Sequence, residues 1–175
     1  VPRERADDYD LPTLRESPFV NELDFHWEIP STNSHALRRA EEPACVTPLL
    51  VLAERQVSGR GRGSNRWSSA SGAMTFSLLV PLDEISEDRL PQISLTVGLA
   101  VCQAIEQFAP QADLGIKWPN DIYVDQAKLA GILIELPRRR PRRAVQGNAG
   151  HVNNAIADTD PTLEPRANSL RQAEQ

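Results

Sequence analysis

Three glycines and three arginines fall within nine residues at Gly59–Trp67, GRGRGSNRW. Glycine lets a backbone turn sharply and approach a ligand closely. Arginine presents a rigid fork of donors that matches phosphate and carboxylate oxygens. Short apolar runs flank the segment, LLVLA at 49–53 and MTFSLLV at 74–80. A basic, flexible loop between two strands is a candidate cradle for anions at the edge of a sheet. A solvated Arg/Gly loop, or a patch that touches nucleic acid, has the same composition. Two lysines, Lys117 and Lys128, stand in apolar surroundings, where an ammonium needs a partner or a task. Gly131 interrupts the apolar run KLAGILIEL at 128–136, a place where a ligand or another backbone comes close. Lys128 also has a plain reading, as an edge-strand charge that blocks aggregation. Pro119-Asn120-Asp121 is a turn triplet.

Positioning these groups takes a small set of elements. The segment FHWEI at 25–29 reads as a strand ended by Pro30. Ser31-Thr32-Asn33 then offers three capping side chains before a helix over 34–42. Spacing alone favours one of the three as the cap, with the others facing water; a ligand at the helix N-terminus is the alternative. Residues 49–53 and 74–80 are strands, and Trp67 between them is more readily a core ring than a ligand wall. Over 90–109, Ile93, Val97, Val101, Ile105 and Phe108 share one face, so this is an amphipathic helix with Pro91 in its first turn. Residues 114–118, 122–124 and 128–136 are strands, the first two forming a hairpin around the Pro-Asn-Asp turn. PRRRPRR at 137–143 is a basic loop, and QGNAGHVNN at 146–154 has little apolar content.

The 175 residues, 40% hydrophobic, suffice for one domain with a core. A net charge of −5 argues against a general nucleic-acid binder. Cys45 and Cys102 lack metal or disulfide-scaffold spacing and read as reduced packing residues. No apolar run is long enough to span a membrane and no secretory pattern opens the chain, so a cytoplasmic protein is expected. Residues 1–24, charged and proline-rich, read as a peripheral arm, and no helix-turn-helix pattern is found there.

Four of these segments, in order and at matching spacing over residues 25 to 136, resemble biotin protein ligases: Ser31-Thr32-Asn33, Gln56 with Gly59–Trp67, KWPND at 117–121 and KLAGILIE at 128–135. A lone GRGR is weak; KWPND followed after six residues by KLAGI is specific. The resemblance implies an α+β fold, a mixed and largely antiparallel sheet flanked by helices, related to class II aminoacyl-tRNA synthetases, with residues 25–175 as the catalytic domain. It implies an enzyme that joins the biotin carboxylate to the α-phosphate of ATP, giving biotinyl-5′-AMP, and passes biotin to a lysine of a biotin carboxyl carrier domain. ATP and biotin are then substrates and Mg²⁺ the accompanying ion. The partner is a carboxylase carrier, not nucleic acid or a membrane, and family members often pair into homodimers.

By the same resemblance, Ser31, Thr32, Asn33, Gln56, Gly59, Arg60, Gly61, Arg62, Lys128 and Gly131 line the biotin site. Arg62, Arg66, Trp67, Lys117, Asn120, Asp121 and Asn153 attend the nucleotide. Lys128, Arg62 and Asp121 carry the chemistry, with Asp121 either a base for the incoming lysine or a holder of Mg²⁺. Trp67 and Trp118 would wall the cavity. The sequence departs from the family in two places. Ser64-Asn65 replaces a Gly-Arg pair, leaving Arg66 as the nearest substitute charge. VQGNAGHVN at 145–153 stands where a GIGINVN-like strand end is usual, and the family continues beyond it into a small barrel domain. A binding protein that retains an adenylate without transferring it, and a lipoate or octanoate ligase, are the competing readings.

Overall fold

The computed structural model describes residues 9–69, 72–81, 87–137 and 143–151. After a short helix α1 (Leu11–Arg15) come strand β1 (Glu22–Ile29), helix α2 (Thr32–Ala40) and strand β2 (Leu49–Gln56). A two-strand ladder, β3 (Gly59–Arg60) with β4 (Arg66–Trp67), leads into β5 (Ala73–Pro81). Helix α3 (Leu90–Glu106) precedes β6 (Leu114–Lys117), β7 (Asp121–Val124), β8 (Ala127–Glu135) and β9 (Arg143–His151). Seven strands form one sheet in the order β1-β2-β5-β9-β8-β7-β6, parallel between β1 and β2 and antiparallel at every other pairing. The expected α+β class, a largely antiparallel sheet flanked by helices, is the one observed.

Alternation along the strands gives the sheet two apolar faces. Leu49, Val51 and Leu79 are buried under Ala36 and Ala40 of α2, with Cys45 beside them. On the opposite face, Ile122, Val124, Leu129, Ala130 and Ile132 are buried under α3, against Val97, Val101, Cys102 and Ile105. Each such aliphatic side chain contributes roughly 1.5–3 kcal/mol when fully removed from water. Gly98 marks the close approach of α3: a Cβ there would lie 3.3 Å from Ile116 Cδ1 and 3.5 Å from Ile132 Cδ1. Both cysteines are buried free thiols, and no described helix is long and apolar enough to cross a membrane.

Several boundaries differ from those read in the sequence. β1 begins at Glu22, inside the segment read as an arm, because Glu22, Leu23 and Asp24 pair with Leu49, Leu50 and Val51. α2 begins at Thr32, earlier than 34, because Ser31 is its N-cap, accepting from Ser34 N at 3.3 Å. α3 ends at Glu106, so Phe108 lies past the helix and is 82% exposed, not part of the apolar face. β9 starts at Arg143, at the end of the stretch read as a basic loop, and forms a central strand between β5 and β8. Lys128 is therefore on an interior strand, which rules out the edge-charge reading.

A charged network ties α2 to the outer strand β1. Asp24 accepts from His35 Nε2 at 2.6 Å and from Arg39 Nη1 at 3.1 Å, and its other oxygen lies 2.9 Å from His26 Nε2. Arg39 also reaches Glu22 at 2.6 Å. Burial alone would raise the Asp24 pKa; the hydrogen bond from His35 and the pull of the Arg39 guanidinium, with His26 and His35 beside the carboxylate, outweigh it and hold the carboxyl below its ordinary value of 3.8. A depressed carboxylate pKa adds stability that is fully present above the unfolded value and is lost as pH falls through the folded one. Asp24→Asn is expected to lower the unfolding free energy near neutral pH by about 1–2 kcal/mol, given partial solvent screening. Urea titrations across the acid range should show the gap between wild type and variant constant above about pH 5 and closing below about pH 4.

Candidate active site

Several of the site residues predicted from the sequence gather on the face of the sheet that carries α2. Their common placement depends on β8. Gly131 pairs with Asp121 and Ala130 with Ile122, but Tyr123 pairs with Lys128, so Leu129 is an extra residue and the register shifts. Cross-strand partners share a face, which puts Lys128 on the side of Asp121 and Gly131. In a regular strand Lys128 and Gly131, three apart, would face opposite ways. The bulge re-aims the lysine. Its Nζ sits 2.8 Å from Asp121 Oδ1 and 5.4 Å from the centroid of the Trp67 ring.

Gly131 is the floor beneath that ring. A Cβ added there would meet Trp67 Cζ3 at 2.9 Å and Lys128 Cε and Nζ at 3.4 Å. Gly59 is just as confined, its Cβ position lying 2.6 Å from the Trp67 carbonyl oxygen and 3.0 Å from Gln56 Nε2. Both glycines allow Trp67 to lie down between β2 and β8. Trp67 thus stands at the site and not in either core cluster, contrary to its plainer sequence reading.

The N-terminus of α2 supplies the second wall. Ser31 serves as the cap, as spacing suggested. Thr32 and Asn33 do not face water: they are 3% and 4% exposed. Thr32 donates to Gln56 Oε1 through its backbone N–H at 2.7 Å and its hydroxyl at 3.1 Å. Ser77 Oγ lies within donating distance of Thr32 Oγ1 (2.9 Å) and Asn33 Oδ1 (3.3 Å). Asn33 Nδ2 donates to Glu135. Gln56 is consequently fixed at the end of β2, with its amide nitrogen toward Gly59 and Trp67.

The Gly/Arg segment itself is a hairpin, not an open loop. Gly61 N donates to Asn65 O at 2.8 Å and Asn65 N to Arg62 O at 3.3 Å, with Gly63 at φ +67° in the turn. That left-handed conformation is costly for other residues. Arg62 and Arg66 are exposed and make no ion pair with another described residue. Arg60 differs: Nη1 and Nη2 donate to the two oxygens of Glu135 at 2.9 and 2.6 Å, and Nε donates to Ser34 Oγ at 3.1 Å.

At the far side, Asn120 Nδ2 donates to Ile132 O at 2.9 Å, and Ile132 N to Asn120 O at 2.8 Å, so Asn120 pins the β6–β7 turn to β8. Lys117 pairs with Asp121 across the hairpin and its Nζ lies 3.5 Å from the Tyr123 hydroxyl and 5.1 Å from that ring. Trp118, expected as a cavity wall, is 75% exposed. Asn153 lies outside the described residues. Glu135, Ser77 and Ser34 lie outside the set predicted from the sequence and brace it from behind, through bonds to Arg60, Thr32 and Asn33. A carboxylate ending an apolar strand beside an arginine-rich loop is the sequence signal for Glu135.

Two places could take a cation. Asp121 Oδ1 is buried and its contact with Lys128 lacks hydrogen-bond alignment, so it retains accepting capacity. The ligand atoms of Asp24, His26 and His35 also lie within 4.8 Å of one another. There, however, Arg38 Nη2 donates to His35 Nδ1 at 2.6 Å, which leaves the proton on Nε2 for Asp24, and Arg39 occupies the same carboxylate. That cluster is built as a structural network.

The sequence model of the biotin/lipoate A/B protein ligase family matches residues 28–149. The chain is 36% identical over 154 residues to the bifunctional ligase/repressor BirA of Bacillus subtilis, covering 86% of this chain and 46% of that protein. It is 33% identical over 143 residues to the biotin–[acetyl-CoA-carboxylase] ligase of Mycobacterium tuberculosis, covering 80% and 53%. It thus spans about half the length of these relatives. Among solved structures, the biotin protein ligase from Aquifex aeolicus in complex with biotin and ATP superposes with a TM-score of 0.73 at 28% identity, over 88% of this chain and 62% of that one. The match of the family model over well over half of the sequence, joined to this site, places the chain in the biotin/lipoate A/B protein ligase family.

Proposed function

We propose that this chain is the catalytic part of an ATP-dependent biotin ligase, which forms biotinyl-5′-AMP and transfers biotin to a lysine of a biotin carboxyl carrier domain. The observation that carries the reading is the convergence of Lys128, Asp121 and Gly131 beneath Trp67, beside the buried Thr32–Gln56 pair.

The chemistry joins two anions, a carboxylate and a triphosphate, so the site must cancel their repulsion and keep water away. Lys128 is the fixed positive charge at the floor. It would meet the attacking carboxylate and the α-phosphate as charge builds there. Its Asp121 partner orients the ammonium until the anions arrive. Arg62 and Arg66, uncommitted among the described residues, are the charges available to phosphate oxygens, as is Lys117 at the mouth. Trp67 covers the floor, and the polar set Ser31, Thr32, Asn33 and Gln56 supplies fixed donors and acceptors for the ligand's head.

Mg²⁺ ordinarily takes one or two carboxylates and completes its shell with substrate phosphates and water. Asp121, with its buried accepting oxygen, suits that role, and the ion would neutralise phosphate charge. Receiving a proton from the carrier lysine in the second step is the alternative role for Asp121. Homodimer formation and a cytoplasmic location belong to the same proposal.

Incubation with biotin, Mg²⁺ and ATP labelled at its α-phosphate should yield biotinyl-5′-AMP, and added carrier domain should become reactive to streptavidin. Biotin binding without any adenylate would support a binding protein instead, and preferential use of lipoate would support the lipoate ligase reading. Lys128→Ala is expected to slow adenylate formation by about 10²-fold or more, the scale for losing a charge-stabilising group. Near-normal single-turnover rates would remove Lys128 from the mechanism. Gly131→Ala forces Trp67 or Lys128 aside, an overpacking cost of about 1–3 kcal/mol. Calorimetry should show biotin affinity reduced by about tenfold or more.

A further inference from the structure

Arg60 and Arg66 are direct partners in the short β3–β4 ladder. Like charges set opposite each other across a ladder are destabilising. The hairpin is not hydrogen-bonded into the seven-stranded sheet. Its first strand follows two backbone bonds, Val57 N to Ile29 O at 3.0 Å and Ser58 N to Pro30 O at 2.8 Å. Beyond those, a bidentate fork between Arg60 and Glu135 ties the hairpin to β8 among the described residues. Glu135 ends β8, and the same carboxylate accepts from Asn33 on α2. One side chain therefore joins the hairpin, the N-terminus of α2 and the floor strand that carries Lys128 and Gly131.

The geometry points to Glu135 as a positioning residue: its carboxylate latches the Gly/Arg hairpin, and with it Trp67, over the floor of the site. Charge supports this assignment. All three guanidinium nitrogens of Arg60 are directed to protein acceptors, two of them in a bidentate pair, the geometry that adds most to strength and specificity. Arg60 is thus spent on holding the hairpin, and Glu135 removes the repulsion between Arg60 and Arg66. The latch is reversible because it is only partly buried, with Arg60 40% and Glu135 27% accessible. A ligand beneath Trp67 leaves when the fork opens, so the latch governs residence time and not the chemical step.

The identity of the ligand rests on the proposed function; the latch itself does not. Glu135→Gln keeps the shape and one acceptor and removes the charge. Limited trypsin digestion of the protein without ligand should cut after Arg62 and Arg66 about tenfold faster in this variant, and biotin should dissociate about tenfold faster, the scale for losing a charge-assisted pair. The single-turnover adenylation rate at saturating biotin and ATP should stay within about twofold of wild type. Arg60→Lys, which keeps the charge and loses the fork, should give the same proteolysis pattern. Unchanged digestion in both variants overturns the latch. A collapse of the adenylation rate with unchanged biotin dissociation overturns it as well, since Glu135 would then act on the reaction itself. If wild type binds no biotin, the proposed function fails while the digestion comparison still decides the latch. Should Glu135→Gln melt many degrees below wild type, the Arg60→Lys digestion decides.

Discussion

One extra residue in β8 sets the geometry of the site. Leu129 has no partner of its own in β7, and both it and Ala130 turn into the core under α3. The strand therefore gives its apolar residues to one face without placing Lys128 there. A lysine near the start of such a strand is otherwise costly when turned to the core, since an ammonium among packed aliphatic side chains loses its hydration without compensation. Turned to the other face, it finds a carboxylate on β7 and the negative face of an indole. The same turn brings it against Gly131, where the absence of a side chain is what lets Trp67 descend. Charge, ring and floor are consequences of a single irregularity in pairing.

The three arginines of the hairpin divide their work along similar lines. Arg60 is neutralised in place, and the two that remain, Arg62 and Arg66, lie at the exposed tip and on the return strand. An anion approaching the site meets positive charge first at the flexible edge and last at the fixed lysine. Fixed charge at the reacting centre costs no reorganisation when charge develops there. Charge on a hairpin can follow an extended ligand such as a triphosphate. The division suits the proposed function, in which two anions of different size share one enclosure.

Much of this was legible in the sequence. Glycine and arginine at alternate positions marked a candidate anion cradle, read as an open loop and found as a hairpin, and the lysine and glycine in KLAGILIEL marked a special strand, because each residue is out of character with its neighbours. The bulge was not legible, since Leu129 and Ala130 are both ordinary core residues and nothing in their order reveals which is extra. Thr32 and Asn33 were misjudged from spacing because capping side chains usually face solvent; here Ser77, a polar residue within an apolar strand, gives them buried partners. The early start of β1 was hidden by the charges of Glu22 and Asp24, which are tolerated in a strand because Arg39 pairs with both and two histidines lie against Asp24.

β9 shows most clearly why composition misleads near a site. With two glycines, an asparagine and a glutamine among nine residues, it lacks the pattern of a central strand, yet it lies between β5 and β8. The register explains the composition. Gly147 stands between Ser77 and Leu133, and Ala149 between Thr75 and Gly131. Across β2, β5, β9 and β8 one row therefore reads Ala53, Thr75, Ala149, Gly131 before ending at Asp121 on β7. Large aliphatic residues in that row would give a better strand and a filled sheet face. In that row Gly131 leaves the room that Trp67 needs to lie over it. β9 has little strand propensity of its own, and its pairing with β5 and β8 on both sides keeps it in place.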